Sequence, residues 1–143
     1  MDRTQWGIAV EDGPSLDDFT ELAEAALAEI PSEFRRHIQG VGLRIEDWPD
    51  QGTLRRMRIR HPLGLLGLYS GLPIGYKQAG AVVQHVDMIF LYREPILAHW
   101  RQMGGPSRGG RLKDIVKHVL VHEIGHHFGL SDADMERIGS EAD

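Results

Sequence analysis

The most informative segment of the chain is RLKDIVKHVLVHEIGHHFGLSD, residues 111–132. Its apolar residues recur at spacings of three and four, so they share one face of a helix. These residues are Leu112, Ile115, Val116, Val119 and Leu120. The glycine that follows, Gly129, can adopt the left-handed conformation that closes a helix. The pattern therefore predicts a long helix over residues 111–128 and a short acidic helix over about residues 132–138.

Two helices and a strand are also predicted in the N-terminal third of the chain. Ser15 and Asp18 have the spacing of a capping box, and apolar residues at helical spacing follow over residues 19–30. The next residue is a proline, which ends this helix, and a second short helix is predicted over residues 32–38. Alternating apolar residues then predict a strand over residues 41–47 with one buried face.

The middle of the chain contains the strongest strand pattern, next to a region that is rich in glycine and proline. Residues 82–92 carry apolar side chains on alternate sides, which predicts a strand with both faces covered. Residues 48–76 are rich in glycine and proline and are predicted to be mostly loop, with a helical turn near residues 54–57. Residues 104–110 are predicted to be a flexible connection. Together these elements predict an α+β fold, in which a small mixed sheet packs on the long helix and on helices near both termini.

The composition limits the number of domains and the kinds of site. With 143 residues, of which 41% are hydrophobic and 26% charged, the chain is predicted to be a single domain over residues 1–143. Residues 1–14 are predicted to be a loosely ordered N-terminal arm. Because the chain has no cysteine, disulfides, thiolate metal sites and cysteine nucleophiles are excluded. Any metal must therefore be held by His, Asp or Glu.

The charge balance disfavours several kinds of partner. The net charge is −5, from 16 Lys and Arg against 21 Asp and Glu, so no nucleic-acid partner is expected. No run approaches the about 18 apolar residues of a membrane span, and the N-terminus lacks the apolar core of a signal peptide. We therefore expect a cytoplasmic protein with no membrane association. Arg55, Arg56, Arg58 and Arg60 are interpreted as a solvated face, with an anion-binding surface as the alternative.

The long helix carries the motif H-E-x-x-H at His122, Glu123 and His126. Histidines four residues apart lie one helical turn above each other, so both rings can reach one zinc ion. Glu123 is offset around the helix, where it can hydrogen-bond a water on the metal instead of binding the metal itself. Of the neighbouring histidines, His127 is interpreted as a packing residue and His118 as an exposed one, with a place in the cleft as the alternative for His118.

The residues after the motif offer a third ligand. Gly129 can break the helix, and the chain can then turn back so that the Asp132 carboxylate reaches the metal. Two histidines, one carboxylate and a water make an open site of the catalytic type. Asp134 and Glu136 are alternative third ligands. Asp132 can also be the N-cap of the last helix, a role for which Ser131 and Asp134 compete.

The extended motif H-E-x-x-H-x-x-G-x-x-D resembles that of the zincin metallopeptidases. The run HEIGHHFGLSDADM at residues 122–135, with LLGLYSGLP at residues 65–73 and IFLYREPIL at residues 89–97, is similar to a small bacterial family of minimal zincin-like domains described as possible zinc metallopeptidases. The resemblance extends from the helix that begins near Phe19 to Met135 and so covers most of the chain.

This resemblance implies a fold, a cofactor and a set of site residues. It implies a minimal zincin-like domain with Zn²⁺ held by His122, His126 and Asp132, and with Glu123 as the general base. It also implies that residues 86–91 are the strand bordering the active-site cleft, where an extended peptide or protein substrate pairs with the sheet.

One part of the zincin pattern is missing from this chain. Larger zincins place a Tyr or His downstream of the motif to stabilise the oxyanion, whereas no Tyr or His follows His127 here. A donor for the oxyanion must therefore come from upstream. The candidates are Tyr69, Tyr76, Tyr92 and Arg93.

The leading interpretation is a zinc-dependent peptidase that hydrolyses peptide bonds with a metal-activated water and Glu123 as general base. A second interpretation is a metal-stabilised binding module without catalysis. A third is a single-metal endoribonuclease, whose ligand spacing is similar but which has Gly at the position of Glu123. Two histidines and one carboxylate also suit iron or nickel.

Overall fold

The chain folds into a small mixed sheet and several helices, which confirms the predicted α+β class. The computed structural model describes residues 14–74, 84–129 and 131–140. Its helices are α1 (Leu16–Ala28), α2 (Ser32–Arg35), α3 (Gln51–Met57), α4 (Arg93–Gln102), α5 (Gly105–Arg108), α6 (Leu112–Phe128) and α7 (Asp132–Ser140). Its strands are β1 (Gly42–Glu46), β2 (Gly67–Ile74) and β3 (Gln84–Tyr92). Short 3-10 turns cover Arg36–Ile38 and Pro62–Gly64.

The sheet joins strands that are well separated in the sequence. In the described part of the chain its order is β1–β3–β2, with β3 in the middle. The strands β1 and β3 are parallel, and Leu43 lies opposite Ile89. The strands β2 and β3 are antiparallel, and Tyr69 lies opposite the same isoleucine from the other side. Among the described strands, β1 and β2 therefore lie at the two edges of the sheet.

The core lies between one face of β3 and the helices α1 and α6. Ile89 and Leu91 point into this core and are 1% and 0% exposed. The sequence predicts one apolar stripe on α6, but the helix is buried on several sides, because α1, α4, α7 and β2 all pack against it. Its buried apolar residues are Leu112, Val116, Val119, Leu120, Val121 and Ile124.

Burial of the strands matches the predictions in part. In β1, Leu43 and Ile45 are half-buried against the core and Arg44 is exposed, which confirms the predicted one-sided strand. In β3, Met88 and Phe90 on the second face are only half-buried. The prediction that both faces of this strand are covered is therefore correct for one face alone.

The ends of the two main helices follow from single residues. The Ser15 hydroxyl accepts a hydrogen bond from the amide of Asp18 at 3.1 Å, and the Asp18 carboxylate accepts one from the amide of Ser15 at 3.4 Å. This capping box starts α1 as predicted. Gly129 has a φ of 70° and closes α6, also as predicted.

The largest departure from the sequence prediction concerns residues 48–76, which are not mostly loop. They contain α3, which extends the predicted helical turn, and the edge strand β2. The strand is hard to recognise because it includes Gly67, Gly71 and Pro73, which weaken a strand pattern but are tolerated at a sheet edge. Residues 104–110 likewise contain a short helix, α5, where a flexible connection was predicted.

Some predictions concern residues outside the described part of the chain. They are the N-terminal arm except for Pro14, the first two residues of the strand predicted over residues 82–92, and the oxyanion candidate Tyr76. The single domain over residues 1–143 stays a prediction. Among the described residues, no helix has the length and apolar character required to cross a bilayer.

Gly67 allows a close approach between β2 and α6, and this can be tested by substitution. A Cβ at Gly67 would stand 2.8 Å from a methyl group of Val119 and 3.1 Å from the carbonyl oxygen of Phe90. We expect Gly67→Ala to lower the free energy of unfolding by about 1–3 kcal/mol, measured by chemical denaturation, because strand and helix must separate. The control is Gly52→Ala in α3, where the nearest atom is 3.4 Å from the new Cβ. Equal losses in both variants would contradict this explanation.

Candidate active site

Three histidines lie one above another on a single face of α6. The ring centroids of His118 and His122 are 4.2 Å apart, and those of His122 and His126 are 5.9 Å apart. An imidazole nitrogen lies about 2.0–2.1 Å from zinc, so two rings on one tetrahedral ion have centroids about 5 Å apart. His122 is half-buried and His126 exposed. The spacing and the access to solvent of this pair thus fit a shared metal ion.

The third donor would lie beyond the end of α6. The chain reverses at Gly129, and the next helix begins at Asp132. The side chain of Asp132 lies outside the described part of the structure. Among the side chains that are described, no three His, Asp or Glu residues are grouped closely enough to hold a metal ion. Among the described side chains the candidate ligands are therefore His122 and His126, whose imidazole nitrogens suit zinc.

The start of α7 is capped by a residue other than Asp132. The Ser131 hydroxyl accepts a hydrogen bond from the amide of Asp134 at 3.1 Å, and the Asp134 carboxylate accepts one from the amide of Ser131 at 3.4 Å. This is a second capping box, so the alternative that Asp132 is the N-cap is wrong. The carboxylate of Asp134 is also engaged at the helix start, while Glu136 is exposed one turn beyond Asp132.

Glu123 lies next to the histidine face, between α6 and the edge strand β2. Its Oε1 accepts a hydrogen bond from the backbone N–H of Tyr69 at 3.1 Å. Burial raises the pKa of the Glu123 carboxyl, whereas the bond from Tyr69 and the nearby charge of His126 act to lower it. The carboxylate is thus held in place by a neutral main-chain amide beside the two candidate ligands.

The strand that borders this site is β2, and this corrects the expectation that residues 86–91 do so. From Met88 to Leu91, β3 is paired with β1 on one side and with β2 on the other. A strand paired on both edges has no free N–H and C=O groups to offer a substrate. The edge that meets Glu123 belongs instead to Tyr69 in β2.

The described candidates for the oxyanion donor differ in their contacts. Tyr92 is 2% exposed and stacks on Phe90, and its burial, together with the nearby charges, raises its pKa to about 12. Arg93 donates to the carbonyl oxygen of Pro14 and forms ion pairs with two carboxylates. Among the described candidates, Tyr69 is the one in contact with the site, through its amide and its ring.

The side chain of Tyr69 contacts both the sheet and the end of α6. Its hydroxyl donates a hydrogen bond to the Asp87 carboxylate at 3.3 Å. Its ring stacks on the ring of His127, with centroids 3.9 Å apart and planes at 15°. Sequence analysis missed the link between Tyr69 and Glu123, because 54 residues separate them and no local spacing connects them.

A cavity of about 260 Å³ lies beside the histidine face, toward the start of α6. Its lining includes His118, Ile115 and, from α4 and the turn after it, His99 and Met103. His118 is exposed as predicted, but it also lines this cavity. Burial and the neighbouring histidines His122 and His99 lower its pKa. The cavity could not be predicted from local sequence patterns, because α4 and α6 meet only in the folded chain.

Comparison with known proteins identifies the family. A family model described as a zincin-like metallopeptidase matches residues 38–141, more than two thirds of the 143-residue chain. The chain belongs to this family of metallopeptidases, which confirms the resemblance seen in the motif. No curated protein gives a significant match to the chain.

The two capping boxes provide a matched pair of variants for the third ligand. We expect Ser131→Ala and Ser15→Ala each to lower the free energy of unfolding by about 1 kcal/mol, because each removes an N-cap. Only Ser131→Ala should also weaken zinc binding, measured by competition with a chromophoric chelator, since Ser131 fixes the backbone next to Asp132. Equal zinc affinities in the two variants would argue against a ligand at the start of α7.

Proposed function

We propose that this chain is a zinc-dependent peptidase in which His122, His126 and Asp132 hold the metal and Glu123 is the general base. When bound, zinc polarises the carbonyl group of a peptide and lowers the pKa of water toward 7. The family supports metallopeptidase chemistry in general. The assignment of the individual residues is supported by the spacing of the two histidine rings and by the position of Glu123 beside them.

The observation that carries the proposal is the place of Glu123. A general base must lie within hydrogen-bond reach of the water that it deprotonates. Glu123 directly follows the first candidate ligand, and the amide of Tyr69 holds one of its oxygens beside the histidine face. In this position Glu123 takes a proton from the attacking water and passes it to the nitrogen of the leaving amine.

The arrangement of β2 and α6 supports a peptide as the substrate. Gly67 lies beside Val119, and Tyr69 lies beside Glu123, so strand and helix run in the same direction. Two strand residues rise about 6.6 Å and four helical residues about 6 Å, so the two elements stay in step along the site. An extended peptide that pairs with the outer edge of β2 would have its backbone next to Glu123.

The cavity beside His118 supports selection by a substrate side chain. It lies one to two helical turns before His122, and its lining includes the apolar side chains of Ile115 and Met103. Methionine adapts its shape to different apolar groups. We propose that an apolar side chain near the scissile bond enters this cavity.

The role of Glu123 can be tested by a substitution that preserves its size. Glu123→Gln should keep zinc and lower peptide hydrolysis by about 10²–10⁴-fold, because the amide cannot accept the proton. The assay uses a pool of random quenched-fluorescent peptides, with zinc content measured on the same samples. Glu21→Gln, on the exposed face of α1, is the control and should match the wild type.

The outcomes of this assay separate the proposed function from its alternatives. Equal hydrolysis by wild type and Glu123→Gln would remove the general-base role. A wild type that binds zinc and cleaves no peptide in the pool would favour the metal-stabilised binding module. Cleavage of a structured RNA that stops on chelation would favour the endoribonuclease.

The third ligand can be tested by comparing two neighbouring carboxylates. We expect about one zinc ion per chain in the wild type and in Asp134→Ala, and a sharp reduction in Asp132→Ala. Inductively coupled plasma mass spectrometry on protein purified without chelators gives these contents and would also detect iron or nickel. Zinc lost from Asp134→Ala and kept by Asp132→Ala would move the ligand to Asp134.

A further inference from the structure

Tyr69 makes contacts with both parts of the proposed site, although it is neither a proposed ligand nor the proposed base. Its backbone N–H holds Glu123, in the middle of the motif. Its ring stacks on His127, the residue after the second proposed ligand. The same ring meets Phe128 edge-on, with centroids 6.4 Å apart. One residue of the edge strand thus touches the helix at two successive turns.

The described residues at the end of α6 lie at the surface. His126, His127, Phe128 and Gly129 are all exposed. Helix ends fray where they are not packed, because their last carbonyl groups have no partner within the helix. The ring of Tyr69 packs against two side chains of this turn. This turn carries one proposed ligand, His126, and leads directly to the other, Asp132.

The position of the Tyr69 ring is itself fixed from the sheet. Its hydroxyl donates to Asp87 in the central strand β3, at 3.3 Å. Two residues earlier, Gly67 lets β2 approach α6 so closely that a Cβ would collide with Val119. The ring is therefore held between a strand of the sheet and the last turn of the helix. A shift of the strand would thus also shift this turn.

We propose that Tyr69 is a positioning residue that sets the geometry of the metal site. This inference rests on the proposed function, since it assumes that His126 and Asp132 bind zinc. The ring aligns the last turn of α6 through His127, and the amide of the same residue aligns Glu123. Residues that orient metal ligands typically change metal affinity about 10–100-fold when they are removed.

The test compares two substitutions of Tyr69 with a matched loss of an aromatic ring elsewhere. Tyr69→Val keeps the backbone amide and a residue that favours strands, but it removes the ring. Tyr69→Phe keeps the ring and removes the hydroxyl. Phe90→Val is the control, because Phe90 is also half-buried in the sheet and belongs to another stacked pair, with Tyr92.

We expect Tyr69→Val to bind zinc about tenfold more weakly than the wild type, measured by chelator competition. It should also lower kcat more than it changes KM, since the substrate edge remains while the site is misaligned. Tyr69→Phe should bind zinc as tightly as the wild type, because stacking on His127 needs only the ring. Phe90→Val should lower the Tm but leave zinc affinity unchanged. Equal zinc affinities for Tyr69→Val and Phe90→Val would overturn the proposal.

A double-mutant cycle identifies the contact that is responsible. If the ring acts through His127, the zinc affinity of Tyr69→Val with His127→Ala should equal that of either single variant. Additive losses would mean that the two side chains act independently, and the proposal would be wrong.

Amide hydrogen exchange separates a failure of this inference from a failure of the proposed function. Without zinc, the amides of residues 126–129 should exchange faster in Tyr69→Val than in the wild type or in Phe90→Val, because the last turn is no longer packed. This readout requires neither metal nor peptidase activity. Equal exchange in all three proteins would overturn the positioning role, whereas a wild type that binds no zinc would overturn the proposed function alone.

Discussion

The packing of the edge strand β2 against α6 is the contact on which the arrangement of this site depends. Gly67 allows the strand to lie directly on Val119, and two residues later the amide of Tyr69 reaches the carboxylate of Glu123. Two residues of the strand and four residues of the helix span nearly equal lengths, so the contact at Gly67 brings Tyr69 level with Glu123. Without this approach the motif would still be helical, but Glu123 would lose its hydrogen bond to the strand.

The rest of the fold holds α6 in a position where it can make this contact. The helix is buried on several sides by α1, α4, α7 and the sheet, and residues such as Val116 and Leu120 are fully buried. A helix surrounded in this way cannot rotate without losing apolar contacts, which are the main source of stability in a small domain. The core thus fixes the face on which His122 and His126 lie, while their end of the helix stays open to solvent.

The family and the local geometry contribute different parts of the functional argument. Membership of the zincin-like metallopeptidases places the chemistry in a class. The geometry indicates how this small chain arranges such a site. Its short C-terminal segment contains a second capping box, at Ser131 and Asp134, that starts the helix where Asp132 lies. The edge strand supplies Tyr69, an aromatic residue in contact with both the proposed base and the turn of the proposed ligands.

The amino-acid sequence was sufficient to predict the features that depend on neighbouring residues. Helical spacing predicted α1 and α6, the pair Ser15 and Asp18 predicted the first cap, and Gly129 predicted the end of the long helix. It also indicated the family, since the motif lies within a single helix and one turn beyond it. The fold had to be known to see that β2 packs against α6 and that Tyr69 meets Glu123. Glycine and proline weaken the local strand pattern of β2, and its contacts with α6 join residues about 50 apart in the sequence, which local spacing cannot predict.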